Sequence, residues 1–423
     1  MFIVYDLIFL VISIFYLPIY LFKRKLHSGF FIRLGILPKD LNFNSSIWIH
    51  AVSVGEVQSI RALLRELKKA YPHKKIVIST VTSTGNKVAK TIAEKEDFVT
   101  YLPFDLGFCV KRVIDKINPG LFILTETEFW PNLISYLFRK KIPIILVNGR
   151  ISKRSFKGYR MIKPLLKSLL EKINLFCMQT EEDAQRIFLL GVNKDKIKVT
   201  GNMKFDATDY TDKKNADYMD YKTKLSLEPQ DKLFVAGSTH PKEEEIILSV
   251  YQELLPKFKN LKLLLAPRHP ERAKEVGKIA SAFNFQPVFI TQLSQPVINL
   301  LPPVFILDTI GQLINFYALS DIVFVGGSLV KIGGHNILEP LAFSKPVLFG
   351  PYMFNFKQIV QLFLENQAVI LVHNAKELKE NIADLLNNPL KINQLTQKAT
   401  ALIQKNQGAT QKNLEYIKNL YPA

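Results

Sequence analysis

Cysteine is nearly absent from this chain. Cys109 and Cys177 are the two among 423 residues, so no disulfide framework or thiolate cluster is available. Each sits in or beside an apolar run, as a reduced packing residue does. Histidine is sparse too, at 7. His50, His240, His269 and His335 fall on separate loops without i, i+4 spacing, so no metal site and no cofactor is expected. The chain has no GxSxG nucleophile elbow and no Walker A loop. Acid is scarce relative to base, 37 Asp+Glu against 56 Lys+Arg, for a net charge of +19. No zinc spacing, heptad array or tandem basic repeat accompanies that excess. It therefore suits an anionic membrane surface or a phosphorylated substrate rather than nucleic acid. Hydrophobic residues make up 48%, which excludes wholesale disorder. The length predicts two domains with appendages.

Residues 1–22 form one long apolar run, MFIVYDLIFLVISIFYLPIYLF. About 20 such residues span a bilayer core. Asp6 near one end and Pro18 weaken the span. A signal peptide would need an early basic region and a small-residue cleavage site, and neither is present. Lys23, Arg24 and Lys25 follow at once, which by the positive-inside rule places the rest of the chain in the cytoplasm. The expectation is an N-terminal transmembrane anchor at 1–22 contacting membrane phospholipids, with a tightly bound interfacial helix as the other reading, then a basic connector at 23–44.

From there two series of strand–helix alternation predict an α/β architecture with parallel sheets. Strands are expected at 47–52, 75–80, 98–102, 121–125, 143–148, 175–179 and 197–200, and again at 233–236, 261–266, 287–290, 304–307, 321–325, 346–349 and 368–372. The segment 207–230, rich in Asp, Lys, Thr and Tyr, reads as a linker. The expected division is 45–206, 207–230 and 231–423, with C-terminal helices in the last part that pack back across the hinge. Two Rossmann-like domains facing a cleft is the natural arrangement.

The chemistry-bearing residues cluster at strand ends. Residues 326–351, GGSLVKIGGHNILEPLAFSKPVLFGP, read as the end of a strand, a glycine loop, a helix start and the next strand. Such a loop suits a nucleotide phosphate, with Glu339 placed for a ribose; glycines used only for tight packing are the other reading. HAVSVGE at 50–56 puts Glu56 at a strand-to-helix turn, as a general base toward an alcohol or as a carboxylate stabilising the helix dipole. Ile60, Leu63, Leu64 and Leu67 form the apolar stripe that follows. TETEFWPN at 125–132 suits hydroxyl recognition, a network behind the base, or a helix cap. The basic, aromatic stretch at 148–160 suits phosphate or lipid head groups, or a solvated face. Three further strand ends carry Gly237-Ser238-Thr239-His240, Pro267-Arg268-His269-Pro270 and Asp308-Thr309-Ile310-Gly311-Gln312. Arg268 is placed for a phosphate or a sugar carboxylate.

In this order, HAVSVGE, TETEFWPNL, NGRIS, GNMKFD, GSTH, PRHPER, DTIGQL and GGSLV…GGHN.LEP resemble the 3-deoxy-D-manno-octulosonic acid (Kdo) transferases of Gram-negative bacteria. The blocks span almost all of the chain beyond the apolar run. The resemblance implies a GT-B fold, CMP-Kdo as donor and a lipid A precursor as acceptor in lipopolysaccharide synthesis. It implies Glu56 as catalytic base, and Pro267, Arg268, Ile310, Gly311, Gln312, Asn336, Ile337, Leu338 and Glu339 around CMP. Gln312 stands where the family usually has Glu, so a role needing negative charge would be lost there. Ile337 replaces a common Pro. A sugar-nucleotide epimerase of the same architecture and a non-catalytic lipid-binding relative are the alternatives.

Overall fold

The computed structural model describes residues 5–7, 9–11, 29–38, 40–41, 43–208, 217–293 and 302–422. Most of the expected 1–22 anchor and its Lys23-Arg24-Lys25 flank lie outside these. Among the described residues no helix is long and apolar enough to cross a membrane.

The first unit comprises 1–207 together with 406–423. Its sheet runs β3(Phe98–Tyr101), β2(Ile76–Thr80), β1(Ser46–His50), β4(Pro119–Thr125), β5(Ile144–Gly149), β6(Leu175–Met178), β7(Ile197–Val199). All of its pairings are parallel. The central strands are buried on both faces, which is why they read as continuous apolar runs rather than alternating ones. On one side Trp48 and Phe122 meet edge to face at 5.1 Å. On the other, Ile47 and Ile49 pack with Ile60, Leu63, Leu64 and Leu67, the stripe expected from the sequence.

The second unit comprises 208–405. Its sheet runs β10(Gln286–Phe289), β11(Pro303–Ile306), β9(Leu261–Pro267), β8(Lys232–Thr239), β12(Ile322–Val325), β13(Val347–Phe349), β14(Ile370–Leu371), again wholly parallel. In the expected linker, the helix Asp217–Lys224 packs Tyr221 against Phe316 at 4.8 Å, so that part belongs to this unit.

The expected division at 231–423 does not hold, whereas the expected packing back of the C-terminal residues does. Residues 406–423 fold with the first unit, not with 231–405. Helix Ala409–Leu420 buries Leu414 and Ile417 in the cluster around Ile47. Asp206 accepts the Gly408 N–H at 2.7 Å and also accepts that of Thr410, satisfying two donors at the helix start. Tyr421 reaches Ser45 at 2.8 Å.

Candidate functional site

The first unit gathers its chemistry at the carboxyl ends of β1, β4 and β5. β1 ends at His50, and the helix Val54–Ser59 begins four residues later, so Glu56 lies in its first turn. The side chain is only 8% exposed. Glu56 Oε2 accepts the Val52 N–H at 2.9 Å and the Thr125 hydroxyl at 2.9 Å, while Oε1 accepts the Ser53 hydroxyl at 3.1 Å. The neighbouring position, Gly55, has open space around it. It sits inside the helix rather than in a tight turn, and a side chain is missing where a ligand could approach Glu56.

Burial raises the Glu56 pKa from its ordinary 4.5 to about 7, and the carboxylates of Glu126 and Glu128 push in the same direction. The Val52 and Thr125 donors oppose the rise without cancelling it. A carboxylate poised near neutrality is suited to general-base work. The TETE segment is thus the network behind Glu56: Thr125 binds it, and Glu126 and Glu128 tune it. Glu126 has a left-handed backbone, φ 52°, and pairs with Lys204 of the GNMKFD block at 3.2 Å. Behind them, Phe129 packs on Tyr159 of the basic helix Lys153–Met161, and Thr127 donates to the Arg150 carbonyl.

Two prominent motif residues turn out to be structural. His50 is fully buried, bonded through Nδ1 to the Ser79 hydroxyl at 3.0 Å, and desolvation drops its pKa to about 3. Asn132 donates its side-chain amide to Asp6 at 2.6 Å. Asp105 accepts the N–H groups of Asn132 and Leu133 at 3.0 and 2.9 Å, capping the helix Pro131–Arg139.

In the second unit, β11, β9, β8 and β12 are neighbours, so the loops after them share one edge of the sheet. The glycine loop does not behave as expected. Gly327, Ser328 and Leu329 aim their N–H groups at the carboxylate of Glu243, at 2.6, 2.9 and 2.9 Å, and the His240 N–H joins at 3.0 Å. Glu243 is fully buried, so this cradle holds an internal anion rather than a phosphate. The first glycine serves packing: a Cβ on Gly326 would stand 2.5 Å from the Ser238 carbonyl oxygen. The expected helix start is one turn, Leu338–Leu341, too short for much dipole. Glu244 is likewise committed, accepting from Thr239 at 3.0 Å and Arg272 at 2.9 Å.

The nine residues expected around CMP divide into three groups. Ile310 is 87% exposed, Gly311 beside it has φ +84° with open space around it, and Arg268 is exposed. These are free to meet a ligand. Gln312 starts the helix Leu313–Leu319 and accepts from Thr309 at 2.7 Å. Asn336 donates to Glu339 at 3.3 Å and accepts the Leu338 N–H at 3.1 Å, so this pair orients itself locally. Pro267 closes β9 and is buried, and Ile337 and Leu338 are wholly buried. The side chains of these three pack in the core.

The spacing argument set the histidines apart, yet the fold joins them. His240 and His335 lie 2.9 Å apart, Nε2 to Nε2, with His269 across His240 at 6.1 Å between ring centres. Both sit over Gly327, where a Cβ would come within 3.1 Å of the His335 ring. Nothing local in the sequence signals a pair separated by 95 positions. Among the described residues no group of His, Cys, Asp and Glu is arranged to hold a metal ion.

Comparison with known proteins agrees with this layout. Residues 28–207 match the family model described as 3-deoxy-D-manno-octulosonic-acid transferase (kdotransferase), and residues 299–402 match that of the group 1 glycosyl transferases. The 3-deoxy-D-manno-octulosonic acid transferase of Haemophilus influenzae is 40% identical over 88% of this chain and 86% of its own length. That of Chlamydophila psittaci is 31% identical over 96% and 93%. Among solved structures, a glycosyltransferase from Rickettsia africae superposes with a TM-score of 0.56 at 17% identity, covering 90% of this chain and 100% of that one. The UDP-GlcNAc 2-epimerase of Neisseria meningitidis superposes with a TM-score of 0.56 at 15% identity, over 85% and 99%. At such identities the structural likeness speaks for the fold alone, two parallel α/β units of the GT-B kind. The curated relatives carry the family: this chain belongs to the 3-deoxy-D-manno-octulosonic acid (Kdo) transferases and is a glycosyltransferase.

Proposed function

We propose that the enzyme transfers Kdo from CMP-Kdo to a primary hydroxyl of a lipid A precursor (lipid IVA) with inversion, using Glu56 as general base. The observation that carries this is the Glu56 carboxylate itself: held by three donors, pushed to about 7, and flanked by the open surface over Gly55. As the acceptor oxygen attacks the anomeric carbon, its proton passes to Glu56. The bond from that carbon to the CMP phosphate oxygen breaks, and negative charge collects on the phosphate. Arg268 offsets that charge, and Ile310, Gly311, Gln312, Asn336 and Glu339 form the nucleotide surface, the first two by exposed contact and the others through polar groups. Gln312 keeps a hydrogen-bonding amide, so binding through it survives the loss of a carboxylate.

The same reading places the enzyme on the cytoplasmic face of the inner membrane. The apolar run at 1–22 supplies the anchor, and the basic helix Lys153–Met161 leans on anionic phospholipid. The test is mass spectrometry of the lipid formed from CMP-Kdo and a tetra-acylated, bis-phosphorylated glucosamine disaccharide. A product heavier by one or more Kdo residues supports the reading. CMP release without a glycosylated lipid, or an epimer formed from donor alone, removes it.

A further inference from the structure

The His240–His335 pair has a geometry that packing alone does not require. Their ring planes are within 2° of parallel and their centres 5.2 Å apart, with Nε2 to Nε2 at 2.9 Å. That centre distance is accounted for by the nitrogen–nitrogen contact plus one ring radius on each side. The imidazoles therefore meet head-on, joined by one Nε2–H···Nε2 hydrogen bond. Such a bond fixes how many protons the pair can hold. In the neutral pair one ring carries its proton on Nε2 and the other on Nδ1. One added proton, on the free Nδ1, leaves the bridge intact and shares a single positive charge. A second would put hydrogens on both facing nitrogens and break it.

The surroundings decide which state is held. Burial holds both rings below the usual imidazole range, the Arg268 guanidinium from the loop after β9 pushes both the same way, and Arg272 adds to the effect on His240. From helix Glu243–Leu254 come two carboxylates, but Glu243 is bound by four N–H groups and Glu244 by Arg272 and Thr239. Arg272 is itself paired with Glu244 and Glu275, and the His269 ring lies 3.4 Å from Glu271, which leaves Arg268 as the cation beside the histidine pair without a carboxylate partner among the described residues. An anionic ligand beside Arg268 would reverse that balance.

We propose that His240 and His335 form a proton-linked anion site for the donor's phosphate, neutral in the empty enzyme and taking up one shared proton when a phosphate binds beside Arg268. This rests on the nucleotide reading of the second unit given above. After transfer, return of that proton to solvent weakens the hold on CMP, linking release to the proton balance of the site.

The experiment is calorimetry of the full chain with the methyl ester of CMP, whose phosphodiester does not titrate near neutrality, in buffers of different protonation enthalpy. The expected result is a net uptake rising toward one proton per ligand as pH falls from about 8 to about 5, with affinity rising by up to about tenfold per pH unit. In His335→Gln and His240→Gln, the uptake and the pH dependence disappear while nucleotide binding persists. Tight binding by the wild-type chain with no proton uptake across that range overturns the dyad and leaves the nucleotide site standing. Failure to bind the ester at all overturns the nucleotide reading, and the dyad with it. Proton uptake with free Kdo but not with the ester would assign the pair to the sugar carboxylate and overturn the phosphate assignment. The wild-type measurement decides even if a glutamine variant does not fold.

Discussion

The carboxylate of Glu243 sits 2.6 Å from the Gly327 N–H, occupying the place that a glycine loop after a parallel strand commonly offers a phosphate. The loop amides are therefore part of the second unit's framework. Glu243→Gln should cost about 2–4 kcal/mol, because a carboxylate bound by four N–H groups is replaced by an amide whose NH2 faces donors. Thermal unfolding measures it. An unchanged melting temperature would mean that the loop holds its shape without this anion.

Glu56→Gln should lower the transfer rate by about 10²–10⁴-fold while leaving CMP affinity near the wild-type value, since the base and the nucleotide residues belong to different units. Paired rate and binding measurements check it, and equal losses in both would remove Glu56 from the role. The same substitution should stabilise the fold at high pH. The Glu56 pKa is raised on folding, so the folded chain binds the extra proton between pH 4.5 and about 7. Stability falls as pH rises through that window and stays lower above it. A gain of about 1–3 kcal/mol at about pH 8, vanishing near pH 4, is expected in denaturant melts.

The alkaline-rising limb of the rate profile should follow Glu56 ionisation, and its neighbours should move it in opposite directions. Thr125→Val removes a hydrogen bond that favours the carboxylate, so the limb shifts to higher pH. Glu126→Gln removes a like charge, so it shifts to lower pH. Profiles of kcat/KM for the two variants test this, and shifts of the same sign would contradict the network.

Arg268→Ala should mainly weaken donor binding. A charge-assisted hydrogen bond contributes about 1.5–3 kcal/mol, roughly a 10- to 150-fold rise in Kd. Calorimetry with CMP is the measurement, and unchanged affinity would reject the contact.

What could be read from the sequence followed from chain-local physics. Both seven-stranded sheets were legible because buried parallel strands are short apolar runs between helices with clear stripes, as at Ile60–Leu67. Glu56 was legible as a carboxylate at a strand-to-helix turn. The long-range pairings were not: Glu243 with Gly327 and His240 with His335 are set by which strands lie side by side, and Asp206 with Thr410 by where the C-terminal helix docks, information no single segment carries. The glycine pair misled because Gly326 answers to the Ser238 carbonyl beside it, a steric demand with the same appearance as a phosphate loop. Ile337 and Leu338 fell among motif residues by position, while their side chains answer to the core.

The N-terminal residues Tyr5 and Asp6 contact the first unit. Asp6 binds Asn132 and accepts the Gly107 N–H at 3.3 Å, and the Tyr5 hydroxyl donates to Asp105. Deleting 1–22 should leave a folded enzyme, because Asp105 keeps its two backbone donors, but at a cost of about 1–2 kcal/mol for the lost polar contacts. Membrane partitioning should drop sharply, leaving weak binding through Arg150–Arg160 that fades with salt. Liposome co-sedimentation across a salt series and a melting curve check both parts. Salt-independent residual binding would point to a second apolar insertion surface, and an unfolded product would show that the apolar run belongs to the core.

Helix Ala409–Leu420 has a consequence for biogenesis. A chain emerging from the ribosome usually folds its first domain while later ones are still being made. Here the first unit cannot complete its core until residues 409–420 have been made, although the whole of the second unit precedes them in the chain. Until then the amino-terminal half lacks the cover that Leu414 and Ile417 give to the cluster around Ile47 and Leu63. A chain cut just before residue 409 would keep the whole of the second unit and leave the unit that carries Glu56 without its closing helix.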